Sequence, residues 1–173
     1  MDSLIIEKAH SEQAQDIIDY LNAVAGDSDY LTFGLNDFGL SLDEEQAIIN
    51  DCLDNDNSLM LVATVDKKII SQLFVEVSPR PRLSHIGHLG LTVSKAYWRQ
   101  AVGSKMLAEA ISWAKNKQLL KLQLQVRIDN VAAIQLYKKY GFFIEGIISE
   151  SLNIDGRTFD ELLMGLKLTD VVS

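Results

Sequence analysis

The chain has 173 residues, of which 47% are hydrophobic and 23% are charged, a composition typical of a globular protein and not of a disordered one. Its formal net charge of −8 argues against broad binding to nucleic acids or anionic membranes and mildly favours cationic small substrates, although acidity also serves solubility. No apolar run approaches the ~18 residues that span a bilayer. The N-terminal segment lacks the pattern of a secretory signal.

The cysteine content limits the possible disulfide chemistry and indicates the cellular compartment. Cys52 is the only cysteine, which excludes an intrachain disulfide and favours a reducing, cytoplasmic location. Clusters of zinc-type ligands are absent from the sequence, so we expect no metal site. Because no low-complexity linker or internal repeat interrupts the chain, we expect a single domain over residues 1–173.

The first half of the chain shows alternating helix and strand patterns. Ser11 is a candidate N-cap for a helix whose apolar residues follow the helical period. Ser41-Leu-Asp-Glu44 has the pattern of a capping box. The predicted elements are a strand at Leu4–Ile6, a helix from Ser11, a loop at 26–40, a helix from Ser41 to about Leu53, an acidic turn at 51–57, and strands at 58–65 and 69–77.

The second half predicts strands and helices in alternation. Leu120, Leu122, Leu124 and Val126 alternate with polar residues, as in a strand with one buried face. The further predicted elements are a strand at 84–93, a helix from about Val102, a helix capped by Asn130 and ended by Gly141, a strand from Phe142, a type I′ turn at Asp155-Gly156 and a last strand at 162–168. This order predicts an α/β chain with a mixed sheet and helices on both faces.

The junction after the strand that ends at Val93 is the clearest functional signal. A strand leads through a polar turn, which carries Arg99, Gln100, Gly103 and Ser104, into an amphipathic helix. Such a junction aims free backbone N–H groups and the positive helix end at one point, which suits a pyrophosphate. Since glycine allows close backbone approach, we expect a phosphate-bearing cofactor here.

Two segments resemble the GNAT superfamily of acyl-CoA-dependent N-acyltransferases. Residues 90–107 resemble its pyrophosphate motif, Gln/Arg-x-x-Gly-x-Gly/Ala, and residues 126–142 match its Asn-x-x-Ala-x-x-Leu-Tyr-x-x-x-Gly-Phe signature completely. Two positions of the first motif differ, since Trp98 replaces the leading Gln/Arg and Ala101 replaces the first glycine. We expect the methyl group of Ala101 either to crowd a pyrophosphate or to force a negative φ. The resemblance implies a central splayed mixed sheet flanked by helices on both faces.

The resemblance also implies positions for an acetyl-CoA cofactor. Main-chain groups of Leu91 and Val93 would hold the pantetheine arm and polarise the thioester, and Gly90 is expected to mark a bulge or a close backbone approach. Tyr137 would be the general acid for the departing thiolate, although a tyrosine on that apolar face also fits a purely structural role. The remaining implied cofactor contacts are Arg99, Gln100, Ala101, Val102, Gly103, Ser104 and Asn130.

The general base and the acceptor pocket are less defined in the sequence. Glu76 is the first candidate for the base, His85 and His88 are alternatives, and an ordered water is a further one. Tyr30 and Phe38, in the loop at 26–40, are candidates for acceptor binding. The acidic residues that follow are also candidates for the acceptor pocket, and the alternative is that they form a solvated helix face. These residues are Asp43, Glu44 and Glu45. Cys52 is interpreted as a small buried hydrophobic residue.

These observations predict an N-acetyltransferase that transfers the acetyl group of acetyl-CoA to a primary amine by direct attack. The acceptor is a small molecule, an amino acid or a peptide N-terminus. A non-catalytic acyl-CoA sensor or interaction module is the alternative from another class. A dinucleotide binder is disfavoured because no Gly-x-Gly-x-x-Gly follows the first strand. The resemblance makes a homodimer plausible, while nucleic-acid and membrane partners are not expected.

Overall fold

The computed structural model describes residues 3–169, which contain a seven-stranded mixed sheet and four α-helices. The strand order is β1-β2-β3-β4-β5-β7-β6. No helix among the described residues is long and apolar enough to cross a membrane. The elements are β1 (Ile5–Lys8), α1 (Ala14–Val24), α2 (Leu42–Asn55), β2 (Leu59–Val65), β3 (Lys68–Val77), β4 (Ile86–Val93), α3 (Val102–Asn116), β5 (Lys121–Arg127), α4 (Val131–Lys139), β6 (Phe143–Ile154) and β7 (Arg157–Lys167).

The chain divides into two compact units. The first comprises Met1–Glu76 with Gly90–Ala110, and the second comprises Val77–Leu89 with Ile111–Ser173. Strand β4 and helix α3 each contribute residues to both units. The predicted order of helices and strands and the mixed sheet are confirmed, while the single domain stays a prediction.

The core of the first unit is formed by the apolar faces of α1 and α2 against β2. Ala14, Ile17 and Leu21 of α1 are buried, as their helical spacing predicts. The prediction that Ser11 caps this helix is wrong, because Ser11 lies inside a 3-10 turn that precedes α1. The N-cap position of α1 is instead Gln13, whose side-chain oxygen accepts from the N–H of His10 at 2.9 Å, and His10 is the N-cap of the 3-10 turn.

Helix α2 begins with the predicted capping box. The Ser41 hydroxyl accepts from the N–H of Glu44, and the Glu44 carboxylate accepts from the N–H of Ser41. The predicted turn at 51–57 is largely wrong, because residues 51–55 continue the helix. The turn begins only at Asp56, where a φ of 48° ends α2 in the left-handed conformation.

The second unit is built around β5, β6 and β7. The pairing of β4 with β5 is parallel and joins Ile86–His88 to Lys121–Gln123. Positive φ angles at Asp155 and Gly156, 52° and 84°, confirm the predicted type I′ turn. Strand β7 begins five residues before the predicted Leu162, because this tight turn lets pairing start at once between Ile154 and Arg157.

Two further boundaries differ from the predictions. The strand predicted from residue 84 begins at Ile86. Leu120 lies before β5 and is exposed, so it is not part of the predicted buried face. Gly90 shows no close approach by other parts of the protein, since an added Cβ would meet nothing within 4 Å. The position next to Gly90 on β4 is therefore open space.

Candidate functional site

The end of β4 is tied to its neighbours in the first unit. The Ser71 hydroxyl donates to the carbonyl of Thr92 at 2.6 Å, and the Thr92 hydroxyl reaches the carbonyl of Gln72 at 3.3 Å. The Tyr20 hydroxyl, from α1, donates to Thr92 Oγ1 at 3.1 Å. Burial raises the pKa of Tyr20 well above its usual range, so the phenol keeps its proton. These contacts fix the backbone on which Leu91 and Val93 lie.

The turn that follows β4 is held by side-chain contacts to its backbone. The Asp27 carboxylate accepts from the N–H of Lys95 at 2.8 Å. The indole N–H of Trp98 donates to the carbonyl of Val93 at 2.7 Å. The Gln100 amide donates to the carbonyl of Ala96 at 2.8 Å. Trp98 therefore connects the turn to the strand, and Gln100 stabilises the turn itself.

The turn reaches α3 through two residues in the left-handed conformation. The φ angles of Arg99 and Ala101 are both 61°. The expectation that the Ala101 methyl group forces a negative φ is therefore wrong: the backbone keeps the conformation that glycine favours. The carbonyl of Ala101 accepts from Lys105 and so begins the helix. The first backbone N–H groups of a helix have no intrahelical acceptor, and Val102 and Gly103 occupy those positions here.

The chain segment around this helix start carries only basic charged side chains, and a carboxylate contacts it from elsewhere in the chain, that of Asp27 at the N–H of Lys95. Between Glu76 and Glu109 the chain has no carboxylate side chain, although the whole chain has an excess of acidic residues. Arg99 lies in the turn itself and is exposed. The other basic residues of this stretch that belong to the first unit are Lys95 and Lys105. The positive side chains and the positive helix end both favour an anion.

In the second unit, Asn130 and Tyr137 lie on α4. The Asn130 side chain caps the helix by accepting from the N–H of Ala133 at 3.3 Å, as predicted. Arg127 holds the preceding turn, because its guanidinium donates twice to the Asp129 carboxylate, at 2.9 and 2.6 Å. This contact lowers the pKa of Asp129.

Tyr137 is buried, and its ring lies 5.7 Å from that of Phe142. Burial raises the pKa of Tyr137 to about 12. The side chain therefore keeps its proton throughout the physiological pH range. It is a hydrogen-bond donor that does not ionise on its own.

The candidates for the base occupy solvent-accessible positions. Glu76 is exposed near the end of β3, and His88 is exposed on β4. His85 is half-buried just before β4, and its carbonyl accepts from the N–H groups of Leu120 and Lys121. Glu76 belongs to the first unit and the two histidines to the second.

The candidates for acceptor binding lie in the first unit. Tyr30 and Phe38 are half-buried in the irregular segment between α1 and α2. The Phe38 ring meets that of Phe33 edge to face at 5.2 Å, and its N–H donates to the Asn22 side chain. Both phenylalanines pack against the core cluster of this unit.

Cys52 is a poor nucleophile in this environment. It is buried on α2, and burial, with smaller contributions from Asp51 and Glu45, raises its pKa to about 11. Among residues 3–169, no group of three or more His, Cys, Asp or Glu residues could hold a metal ion.

Comparison with known proteins decides the family. The model of the acetyltransferase (GNAT) family matches residues 28–142. A crystal structure of a GNAT-family acetyltransferase from Streptococcus pneumoniae is 34% identical, with a TM-score of 0.92, and covers 95% of this chain and 99% of that one. The chain belongs to the GNAT family of acetyltransferases. The resemblance drawn from residues 90–107 and 126–142 is thus confirmed.

More distant relatives are similar in fold or over part of the sequence. A protein from Salmonella typhimurium, solved with its cofactor acetyl-CoA, has a TM-score of 0.85 at 17% identity and covers 99% of this chain and 98% of that one. L-amino acid N-acetyltransferase AaaT of Escherichia coli is 38% identical over 87 residues, which are 50% of this chain and 54% of AaaT. The alignments to this and the other curated relatives span about half the length of those proteins or less.

Sequence reasoning missed the contacts that support β4 and the turn. Tyr20 and Thr92 are 72 residues apart, and Asp27 and Lys95 are 68 apart. No local pattern signals such pairs. Trp98 did carry a signal, since it departs from the family motif, and the structure gives it a hydrogen bond to Val93.

Proposed function

We propose that this GNAT-family chain transfers the acetyl group of acetyl-CoA to a primary amine. The observation that carries the proposal is the junction of β4 and α3, where Arg99 shortly precedes the helix start at Val102, an arrangement that favours an anion. A pyrophosphate fits these donors, because it is compact and carries negative charge. Acetyl-CoA supplies an activated acetyl thioester when bound. Arg99, Gln100, Ala101, Val102, Gly103 and Ser104 would hold its pyrophosphate, and Asn130 is a further proposed contact.

Strand β4 would orient the thioester through its N–H groups. The carbonyls of Thr92 and Val93 already accept hydrogen bonds, from Ser71 and Trp98 respectively. A thioester carbonyl needs a donor to be polarised, so the N–H groups of Leu91 and Val93 are the groups with that role. The pairing of β4 with β5 covers Ile86 to His88, and β4 itself continues for five more residues, to Val93.

Tyr137 would donate to the leaving thiolate. Because burial raises its pKa to about 12, full transfer to a thiolate whose conjugate acid has a pKa of about 8.5 is uphill by roughly 5 kcal/mol. The phenol therefore acts first as a hydrogen-bond donor to the developing charge. When Tyr137 transfers its proton to the thiolate, a proton from solvent restores the phenol.

Glu76 is our proposed base for the incoming ammonium. It is exposed at the end of β3, so a proton that it accepts passes readily to water. His85, His88 and an ordered water remain the alternatives. Tyr30 and Phe38 are proposed to line the acceptor site. A cytoplasmic location, a single domain and a homodimer are further proposals that rest on the sequence.

The test is thiol release from acetyl-CoA with a panel of free amines, amino acids and peptides. We expect turnover with at least one small amine. Tyr137→Phe should lower kcat about 10- to 100-fold and change the Kd of acetyl-CoA less than twofold. Tyr140→Phe, at the end of the same helix, is the matched control and should stay near the wild type.

The alternative is a non-catalytic acyl-CoA-binding module, which the departures at Trp98 and Ala101 favour. Tight binding of acetyl-CoA with no turnover on any amine would support it. Equal losses of affinity and turnover in Tyr137→Phe would instead make Tyr137 a packing residue.

A further inference from the structure

One hydrogen bond of Trp98 connects the two parts of the candidate cofactor site. Its indole N–H donates to the carbonyl of Val93 at 2.7 Å. Val93 is the last residue of β4, the strand proposed to orient the thioester. Trp98 directly precedes Arg99, in the turn proposed to hold the pyrophosphate. All three residues belong to the first unit, so this contact sets the spacing between the strand end and the turn within one compact unit.

The geometry of the strand shows which edge of β4 the indole occupies. The N–H of Ser94 donates to the carbonyl of Ile70 in β3 at 2.9 Å. Because the backbone groups of successive residues along a strand point to opposite edges, those of Val93 and Leu91 point away from β3. The Trp98 indole therefore closes the edge whose N–H groups are proposed to polarise the thioester carbonyl. It marks one end of the thioester position, as the start of α3 marks the pyrophosphate position.

The turn between Trp98 and α3 has an unfavourable backbone conformation. Arg99 and Ala101 both have a φ of 61°, which residues with a Cβ adopt only where surrounding contacts hold them there. The Gln100 amide, which donates to the carbonyl of Ala96 at 2.8 Å, holds the middle of the turn. The Trp98 indole holds its beginning. Because Trp98 is 42% exposed, it is not a residue of the buried core, and its hydrogen bond belongs to the surface of the site.

We propose that Trp98 is a positioning residue, which fixes the distance between the thioester position on β4 and the pyrophosphate position at α3. This inference rests on the proposed acetyl transfer. A ligand held at two points gains affinity when their spacing is fixed in advance, since the second contact then costs little further ordering. Correct placement of the reacting group also raises the rate, because small displacements slow a reaction strongly. Trp98 stands where the family motif has Gln or Arg, so this departure from the motif has a role of its own.

The test compares two ligands that share a pyrophosphate and differ in the pantetheine arm. Acetyl-CoA spans both positions, whereas 3′-phosphoadenosine 5′-diphosphate has the pyrophosphate without the arm. Trp98→Phe keeps an aromatic ring and removes the N–H donor. We expect the Kd of acetyl-CoA to rise about fivefold, the effect of one hydrogen bond, and the Kd of the shorter ligand to change less than about twofold. With any amine that is accepted, kcat at saturating acetyl-CoA should fall about tenfold.

Two further variants separate the indole N–H from the fold. Trp113→Phe alters the other tryptophan of the chain, on α3, and should leave both Kd values and kcat near those of the wild type. In that background, replacement of Trp98 by benzothienylalanine exchanges the indole N–H for sulfur at nearly the same shape. It should reproduce the ligand difference expected for Trp98→Phe, with a Tm close to that of its background.

The binding comparison keeps this inference separate from the proposed reaction. If acetyl-CoA binds but no amine supports thiol release, the proposed transfer is wrong, and the two Kd values still decide the role of Trp98. Equal losses of affinity for both ligands, in Trp98→Phe and in the benzothienylalanine protein, would make Trp98 a structural residue of the turn. An unchanged affinity for acetyl-CoA would show that its hydrogen bond does not position the ligand.

Discussion

Ala101 shows how a departure from a motif is accommodated at a single residue. Its φ of 61° is the left-handed conformation, which costs a residue with a Cβ roughly 1–2 kcal/mol. Ala101→Gly should therefore stabilise the protein by about 0.5–1 kcal/mol, after the larger backbone entropy of glycine in the unfolded chain is subtracted.

Urea unfolding of the Ala101→Gly variant measures this directly, and calorimetry with acetyl-CoA measures the effect on the site. We expect the Kd of acetyl-CoA to be equal or lower, because the substitution only removes a methyl group. A destabilised variant with weaker binding would show that the methyl group packs in the turn.

Glu45 makes stability depend on pH. Because burial raises its pKa in the folded state, its carboxyl group imposes no penalty below the pKa of the unfolded chain, about 4.3. Its destabilising effect develops as the pH rises towards the folded pKa and is complete above it. The Glu45→Gln variant lacks this ionisation, so it should be more stable than the wild type at pH 8.

The measurement is the difference in free energy of unfolding between Glu45→Gln and the wild type, from urea titrations at several pH values. The difference should be smallest near pH 4 and should grow in favour of the variant as the pH rises. A difference that is independent of pH would mean that Glu45 is not the ionising group.

At the scale of elements, the N-terminus of α3 is expected to bind the pyrophosphate. Gly103 lies in the first turn of α3. Its replacement by glutamate would place a carboxylate beside the negatively charged pyrophosphate. Gly103→Glu should weaken acetyl-CoA binding more than about 100-fold while the fold survives, because both the helix dipole and Arg99 then act on the new carboxylate. Gly103→Gln has the same size without the charge and should lose much less affinity.

Calorimetric titration of these two variants separates charge from size. Equal losses in both would indicate a steric effect. An unchanged affinity in Gly103→Glu would remove the assignment of this turn to the cofactor.

Elements with local signals were predictable, and those that depend on distant contacts were not. The capping box at Ser41 and the turn at Asp155-Gly156 involve neighbours within four residues, and both were confirmed. The cap at Ser11 was wrong because the Gln13 side chain stabilises a preceding 3-10 turn. The acidic segment at 51–57 looked like a turn, yet burial of Cys52 on the core face keeps it helical through Asn55.

At the scale of the molecule, the sequence predicted the order of elements and the family, but not how the site is supported. Residues of the candidate cofactor site could be named because a motif marks them. Their support comes from α1, through Tyr20 to Thr92, and from the turn after α1, through Asp27 to Lys95. These contacts require the tertiary fold, since about 70 residues separate each pair.

The central claim is that this chain binds acetyl-CoA at the β4–α3 junction, and the melting temperature tests it most directly. At about 100 times its Kd, a ligand specific for the folded state adds roughly 2.7 kcal/mol, which corresponds to a shift of about 5–10 °C for a chain of this size. We expect that shift with acetyl-CoA and not with NAD or ATP at the same concentration. No shift with acetyl-CoA, or equal shifts with all three, would contradict the account.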